Sequence, residues 1–175
     1  MRHVNIPVFI PHLGCPNNCV FCDQRKISGC IYFDESCVEN EILKALSTLS
    51  PEDDIEIAFF GGSFTGIDRE LMMRLLKISD KFIDSGRVRS VRCSTRPDYI
   101  DSEILKILRE HHVETVELGI QSMSDRVLEA SKRGHSAENT RAACRAIKES
   151  GFKLIGQMMI GLPTSTVDDE IRTAM

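Results

Sequence analysis

The stretch IPVFIPHLGCPNNCVFC, residues 6–22, joins a short apolar run to a loop that carries three cysteines. The run IPVFI at 6–10 predicts a β-strand, and the proline and asparagines between the first two cysteines predict a loop behind it. The spacing is C-x3-C-x2-C, with the thiols at Cys15, Cys19 and Cys22. Because closed metal sites usually take four protein ligands, a group of three leaves open what supplies the fourth.

The rest of the chain repeats the alternation of strand and helix. Further strands are predicted at 55–60, 88–95, 113–121 and 152–163. Helices are predicted at 35–49, 68–84 and 101–110, from Ser124, at 136–150 and from Thr166, with capping signals at Ser36, Asp101 and Ser136. Such alternation favours a parallel sheet with right-handed crossovers. We therefore expect an α/β fold, a parallel partial TIM-like barrel of about five βα units.

The composition fits a single globular domain over residues 1–175. Hydrophobic residues make up 42% and charged residues 27% of the chain, which argues against disorder. A net charge of -4 gives no electrostatic reason for the whole chain to bind nucleic acid. The apolar runs are far too short to cross a bilayer and no signal peptide is evident, so we expect a cytoplasmic protein without a membrane partner.

Turn and polar motifs lie at the carboxyl end of every predicted strand or directly after it. They are the cysteine loop, GGSF at 61–64, STRPD at 94–98, GIQS at 119–122 and GLP at 161–163. A parallel barrel places its working residues at the carboxyl ends of its strands. We therefore expect one site that is built from these loops.

The residues alone leave three interpretations of the cysteine group. Thiolates select zinc or iron–sulfur clusters over hard cations. A zinc site would need one further ligand, for which His12, Cys30 or Cys37 is available. The second interpretation is three buried thiols without a metal. The third is a 4Fe–4S cluster held by three cysteines, whose fourth iron stays open for a small molecule.

Several motifs together resemble the radical S-adenosylmethionine (radical SAM) superfamily, over roughly residues 6–163. They are the cysteine spacing, GGSF, STRPDYI at 94–100 and ELGIQSMSDRVLEASKRGHS at 117–136. Within the superfamily, the chain resembles the branch with oxygen-independent coproporphyrinogen III oxidase and the radical SAM domain of the elongator-complex catalytic subunit. The resemblance implies a 4Fe–4S cluster on the three cysteines and S-adenosylmethionine (SAM) on the open iron. In that family the cluster reduces SAM, which splits into methionine and a 5′-deoxyadenosyl radical that abstracts hydrogen from a substrate.

The resemblance also implies contacts to SAM, position by position. Phe21 matches an aromatic position that packs near the adenine. Gly61, Gly62 and Ser63 match the glycine motif, whose backbone receives the SAM ammonium because no Cβ blocks a close approach at glycine.

Six further positions match residues near SAM, two of them with a change. Gln121 and Arg133 match residues that contact SAM, and a guanidinium fork suits its carboxylate. Ser94 stands where a Glu often hydrogen-bonds the ribose, and Gln157 stands where an Asp or His is common near the ribose. The strand end that passes the adenine carries Ile160 and Gly161.

The resemblance covers a SAM-binding core without the parts that choose the substrate. The barrel normally has six βα units, so we expect the sixth to be missing and the chain to be truncated at its C-terminus. Family analogy makes RNA modification the first expectation, with tRNA as partner and a flavodoxin or ferredoxin as electron donor. A non-catalytic zinc-binding module and an inactive truncated remnant are the alternatives. No residue is assigned as a catalytic acid, base or nucleophile.

Overall fold

The computed structural model describes residues 2–11, 13–16, 18–23 and 32–175. Its strands are β1 His3–Ile10, β2 Asp54–Gly61, β3 Ser90–Thr95, β4 Val113–Gln121 and β5 Lys153–Met158. They form a parallel sheet in the order β1-β2-β3-β4-β5, and helices lie between them in the chain. The predicted parallel α/β architecture is confirmed.

Six α-helices lie in the described part of the chain. They are α1 Val38–Leu46, α2 Arg69–Asp84, α3 Ser102–Glu110, α4 Asp125–Ala130, α5 Ala137–Glu149 and α6 Val167–Ala174. None of these helices has the length and apolar character of a membrane span. From α1 onward the connections between elements are short, which is typical of βα units, whereas residues 11–37, which include the cysteine loop, separate β1 from α1.

Two of the three predicted helix caps are present. Asp101 accepts a hydrogen bond from the Ile104 amide, and Ser136 forms a capping box with Asn139. The cap predicted at Ser36 is wrong. A 3-10 turn at Glu35–Cys37 precedes α1, and Asp34 caps that turn by accepting from the Ser36 amide.

The two faces of the sheet differ in character. One face carries almost fully buried apolar side chains that pack in the core with the helices, among them Ile6, Val8, Ile57, Phe59, Val91 and Val116. The opposite face carries Glu56, Arg92 and Glu117, which are joined by ion pairs across β2, β3 and β4. Parallel sheets are usually apolar on both faces, so this polar row is unusual.

Strand β5 is shorter than predicted, since it ends at Met158 and the prediction ran to residue 163. The reason is its neighbour: β4 ends at Gln121, which pairs with Met158. The Met159 amide still donates to the Gln121 carbonyl across 3.0 Å. Beyond this bond, no described strand continues the ladder and the chain bends.

Candidate functional site

A cavity of about 730 Å³ opens at the carboxyl ends of the strands, where the sequence predicted a site. Its size lies in the range of roughly 300–1,000 Å³ that small-molecule sites occupy. Most of the predicted site residues line it: Cys15, Cys19, Phe21, Cys22, Gly61, Gly62, Ser94, Gln121, Arg133 and Gln157. Four lining residues had no individual assignment from the sequence, namely Asn18, Asp23, Thr95 and Gly119, although Asn18, Thr95 and Gly119 belong to loops that were predicted to build the site.

Three predicted site residues are not among those that line the cavity. Ser63 is buried, and its hydroxyl lies 2.8 Å from that of Thr95, so it joins the end of β2 to the end of β3. Ile160 is 76% exposed. The Gly161 amide donates to Glu170 Oε1 across 2.7 Å on the surface. Their contacts to SAM stay predictions.

The cysteine loop contacts the rest of the site around Cys19. This side chain is buried, and the next amide, that of Val20, donates to the carbonyl of Ser131 at the end of α4 across 3.2 Å. Burial raises the pKa of the Cys15 thiol, while the positive charges of Arg96 and Arg133 lower it. The loop therefore offers partly buried thiols next to two guanidinium groups.

The zinc interpretation gains no described ligand. Within the described residues, no three side chains of Cys, His, Asp or Glu are arranged around one possible metal ion. His12 and Cys30 lie outside those residues. Cys37 is exposed, does not line the cavity and donates to Asp34 Oδ2 across 3.3 Å.

The glycine turn after β2 is needed for a close approach to the cysteine loop itself. A Cβ on Gly62 would lie 2.1 Å from the Leu13 carbonyl oxygen, and one on Gly61 would lie 2.2 Å from that of Ile10. Gly61 also has a φ of 126°, which disfavours other residues. The Gly62 amide donates to Ile10 O across 3.2 Å. Glycine here keeps the β2 turn in contact with the segment that leads into the cysteines.

Gln121 ends β4 in a strained backbone conformation. Its φ is 66°, in the left-handed region, where a non-glycine residue costs about 1–3 kcal/mol. The pairing of β4 with β5 shifts between Gly119 and Gln121, as at a β-bulge. Bulges next to functional sites re-aim side chains, and Gln121 lines the cavity. Strain at a cavity wall makes this residue a candidate for contact with a ligand.

Arg133 reaches the cavity wall from the loop between α4 and α5. It is only 7% exposed, and its Nη2 donates to the Gly119 carbonyl across 2.8 Å. Its Nη1 donates to Cys19 Sγ across 3.7 Å. A Cβ on Gly119 would lie 2.6 Å from Nη2, so any other residue at position 119 would displace the guanidinium from this contact. The arginine thus joins strand β4 to the cysteine loop.

A second buried arginine was missed by the sequence analysis. Arg96 is 1% exposed and donates through Nε and Nη2 to the Asp98 carboxylate, at 2.9 Å each. His135 lies near this pair, with Nδ1 3.9 Å from Asp98 Oδ1. Burial and the charge of Arg133 lower the pKa of His135 to about 4. The available signal was an Arg and an Asp two residues apart in STRPD, directly after a strand.

These residues fit an iron–sulfur cluster. Thiolate-bound clusters are anionic, and Arg133 brings a positive charge within hydrogen-bonding distance of Cys19. Each thiolate of such a cluster ligates a different iron, so the three sulfurs need not converge on one point. The cavity next to the thiols has room for a further ligand.

Comparisons with known proteins agree with the resemblance drawn from the motifs. The sequence profile of the Radical SAM superfamily matches residues 9–174. The tRNA uridine(34) acetyltransferase of Methanocaldococcus infernus is 30% identical over 135 residues, which cover 67% of this chain and 25% of the relative.

Two solved structures share the fold. Methanocaldococcus infernus Elp3 with an N-terminal deletion has a TM-score of 0.71 at 23% identity, over 98% of this chain and 41% of that one. Coproporphyrinogen III oxidase (HemN) from Escherichia coli, described as a radical SAM enzyme, has a TM-score of 0.68 at 20% identity, over 99% and 40%. The chain thus spans less than half the length of these three proteins.

Proposed function

Because the chain belongs to the Radical SAM superfamily, we propose that its cavity binds a 4Fe–4S cluster and SAM and cleaves SAM reductively. The observation that carries this proposal is the meeting of the cysteine loop, the glycine turn, Gln121 and Arg133 on one cavity. When bound, the cluster supplies the electron for cleavage to methionine and a 5′-deoxyadenosyl radical, which takes hydrogen from a substrate.

Cys15, Cys19 and Cys22 would hold three of the four irons. The fourth iron then stays open for the amino and carboxylate groups of SAM, as in catalytic metal sites that keep one position free. Arg133 supports this arrangement, because its hydrogen bond to the Gly119 carbonyl holds the guanidinium beside Cys19. A positive charge at this place favours the thiolate form of the ligands and the anionic cluster.

The other lining residues would bind and orient SAM. The backbone of Gly61 and Gly62 would receive the ammonium, and the Arg133 fork suits the carboxylate. The strained Gln121 supports a SAM contact at the end of β4. Phe21 would pack near the adenine, together with Ile160 and Gly161, which follow the end of β5. Ser94 and Gln157 would meet the ribose.

RNA is the proposed substrate class, with tRNA first. Its support is the name of one relative, which is a tRNA uridine(34) acetyltransferase. A flavodoxin or ferredoxin would donate the electron. We place the reaction in the cytoplasm, where thiols stay reduced.

A product assay tests the proposed chemistry. Protein reconstituted anaerobically with iron and sulfide is reduced with dithionite and given SAM, and 5′-deoxyadenosine and methionine are quantified by chromatography. We expect both products from the wild type and from Cys37→Ala, since Cys37 is exposed and does not line the cavity. Cys19→Ala should form neither. Product formation by Cys19→Ala at the wild-type rate, or none by iron-loaded wild type, would contradict the proposal.

A further inference from the structure

A buried carboxylate, Glu117, lies behind two residues of the cavity wall. Its side chain is on β4, between Ser94 on β3 and Gln157 on β5, and the residue is 7% exposed. Glu117 Oε2 accepts from Ser94 Oγ across 3.1 Å and from Gln157 Nε2 across 2.7 Å. Ser94 and Gln157 line the cavity, whereas Glu117 does not. One oxygen atom therefore fixes two lining side chains from three strands.

Glu117 is held in place by the polar row of the sheet. Its other oxygen, Oε1, accepts from Arg92 Nη1 across 2.9 Å. Arg92 in turn donates through Nη2 and Nε to Glu56 Oε2, at 2.7 Å and 3.1 Å. Glu56 is 1% exposed and also accepts from Ser90 Oγ across 2.7 Å. Such a connected network orients the carboxylate more firmly than a lone ion pair would.

The carboxylate decides which hydrogen-bonding groups its two partners retain. An ionised carboxylate can only accept hydrogen bonds, so Ser94 donates its single hydroxyl proton to Glu117. Toward the cavity, Ser94 Oγ can then act only as an acceptor. The same rule turns the NH2 group of Gln157 toward Glu117 and leaves its carbonyl oxygen as an acceptor. The wall between β3 and β5 therefore offers two neighbouring acceptors.

We propose that Glu117 is a positioning residue that makes Ser94 and Gln157 acceptors for a pair of neighbouring hydroxyl groups. This inference rests on the proposed function, in which that pair is the ribose diol of SAM. It also explains how a Ser at position 94 serves without a carboxylate of its own. The carboxylate comes from the adjacent strand, because Glu117 pairs directly with Ser94 in the sheet.

The test compares a ligand with the diol and a ligand without it. S-adenosylhomocysteine is a suitable probe because it lacks the sulfonium that is cleaved, and its 2′,3′-dideoxy analogue lacks both hydroxyls. Equilibrium dialysis on cluster-loaded protein under anaerobic conditions gives the dissociation constant of each. Two hydrogen bonds of ordinary strength predict that the wild type prefers the diol roughly tenfold or more.

Glu117→Gln keeps the shape of the side chain and removes its charge, so Ser94 regains a proton to donate. We expect the preference to fall to about twofold or less, while the dideoxy analogue binds as in the wild type. The matched control is Glu114→Gln on the same strand. Glu114 is likewise paired with an arginine, Arg89, and also with Lys153 on β5, but neither of these partners lines the cavity, whereas Ser94 and Gln157 do.

Each outcome bears on the proposal separately from the proposed function. A tenfold preference that survives Glu117→Gln, or a wild type without preference, overturns the role of Glu117. A wild type that carries iron but binds neither probe overturns the proposed function as well. Should Glu117→Gln lose its iron, Glu117→Asp keeps the charge for Arg92 and shortens the reach to Gln157. The preference should fall there too, and its survival would again overturn the role.

Discussion

The guanidinium of Arg133 lies against the backbone of Gly119, with Nη2 2.8 Å from the Gly119 carbonyl oxygen. Fourteen positions separate the two residues in the sequence. The absence of a Cβ at Gly119 makes this contact possible, because a Cβ would lie 2.6 Å from Nη2. In this position Arg133 also donates through Nη1 to Cys19 Sγ, so its side chain connects strand β4 to the cysteine loop.

Gly119→Ala should therefore weaken ligand binding by displacing Arg133. We expect a loss of about 10- to 100-fold in affinity for S-adenosylhomocysteine, the range for a hydrogen bond to a charged group, and a similar loss for Arg133→Ala. Dialysis on cluster-loaded protein measures it. Gly156→Ala on β5 is the control, since its Cβ would meet only the flexible end of Ile120. Equal affinities in Gly119→Ala and Gly156→Ala would contradict the claim that the contact between Arg133 and Gly119 supports ligand binding.

The backbone strain at Gln121 should reverse the usual order of stability between an alanine and a glycine variant at this position. At ordinary strand positions Ala is more stable than Gly by roughly 0.5–1 kcal/mol. At a φ of 66° the order should invert, with Gln121→Gly more stable than Gln121→Ala by about 1 kcal/mol in urea unfolding. Both variants should bind S-adenosylhomocysteine more weakly than the wild type. A more stable Ala variant would show that the backbone is relaxed there.

The glycine turn should be needed for the cysteine loop to hold iron. Gly62→Ala places a Cβ against the Leu13 carbonyl oxygen, so the turn and the loop must separate. We expect about 1–3 kcal/mol of destabilisation and a lower iron content after anaerobic reconstitution. Chemical unfolding and iron analysis measure the two effects. Gly86→Ala, where a Cβ meets open space, tests the strain of a positive φ alone and should retain its iron.

Acid should destabilise the fold through His135. Its pKa falls from 6.5 to about 4, chiefly by burial and then by the charge of Arg133. Between pH 6.5 and pH 4, the unfolded chain therefore binds more protons at His135 than the folded protein does. The stabilisation that comes from keeping His135 neutral is complete above about pH 6.5 and is lost as the pH falls toward 4. His135→Asn should flatten the fall in unfolding free energy from pH 7 to pH 5. The control is His112→Asn, at an exposed histidine, which should keep the wild-type dependence of unfolding free energy on pH. If His135→Asn also kept that dependence, the acid effect could not be assigned to His135.

The sheet could be predicted from the sequence because its apolar strands and their loops are local patterns. The cysteine loop, GGSF, Gln121 and Arg133 could be proposed as site residues for the same reason, since each belongs to a contiguous motif. The end of β5 was predicted wrongly because it depends on where its neighbour β4 stops. That stop is set by the bulge before Gln121, and no local pattern of β5 records it.

Two other features depend on contacts between distant residues. Glu117 begins the motif at 117–136, yet its proposed role depends on β3 and β5, which bring Ser94 and Gln157 to one carboxylate oxygen. Arg96 resembles an ordinary loop charge in the sequence and is buried by the packing around Asp98 and His135. A charged residue inside a parallel strand, as at Glu117, is the signal that the sequence did contain.

The most direct test of the central claim is electron paramagnetic resonance of the reduced, anaerobically reconstituted protein, with iron and sulfide counts and with and without SAM. The account predicts about four irons and four sulfides per chain and a spectrum that changes when SAM is added, because SAM binds the iron that no cysteine holds. Zinc in place of iron, or a cluster whose spectrum is indifferent to SAM, would contradict it.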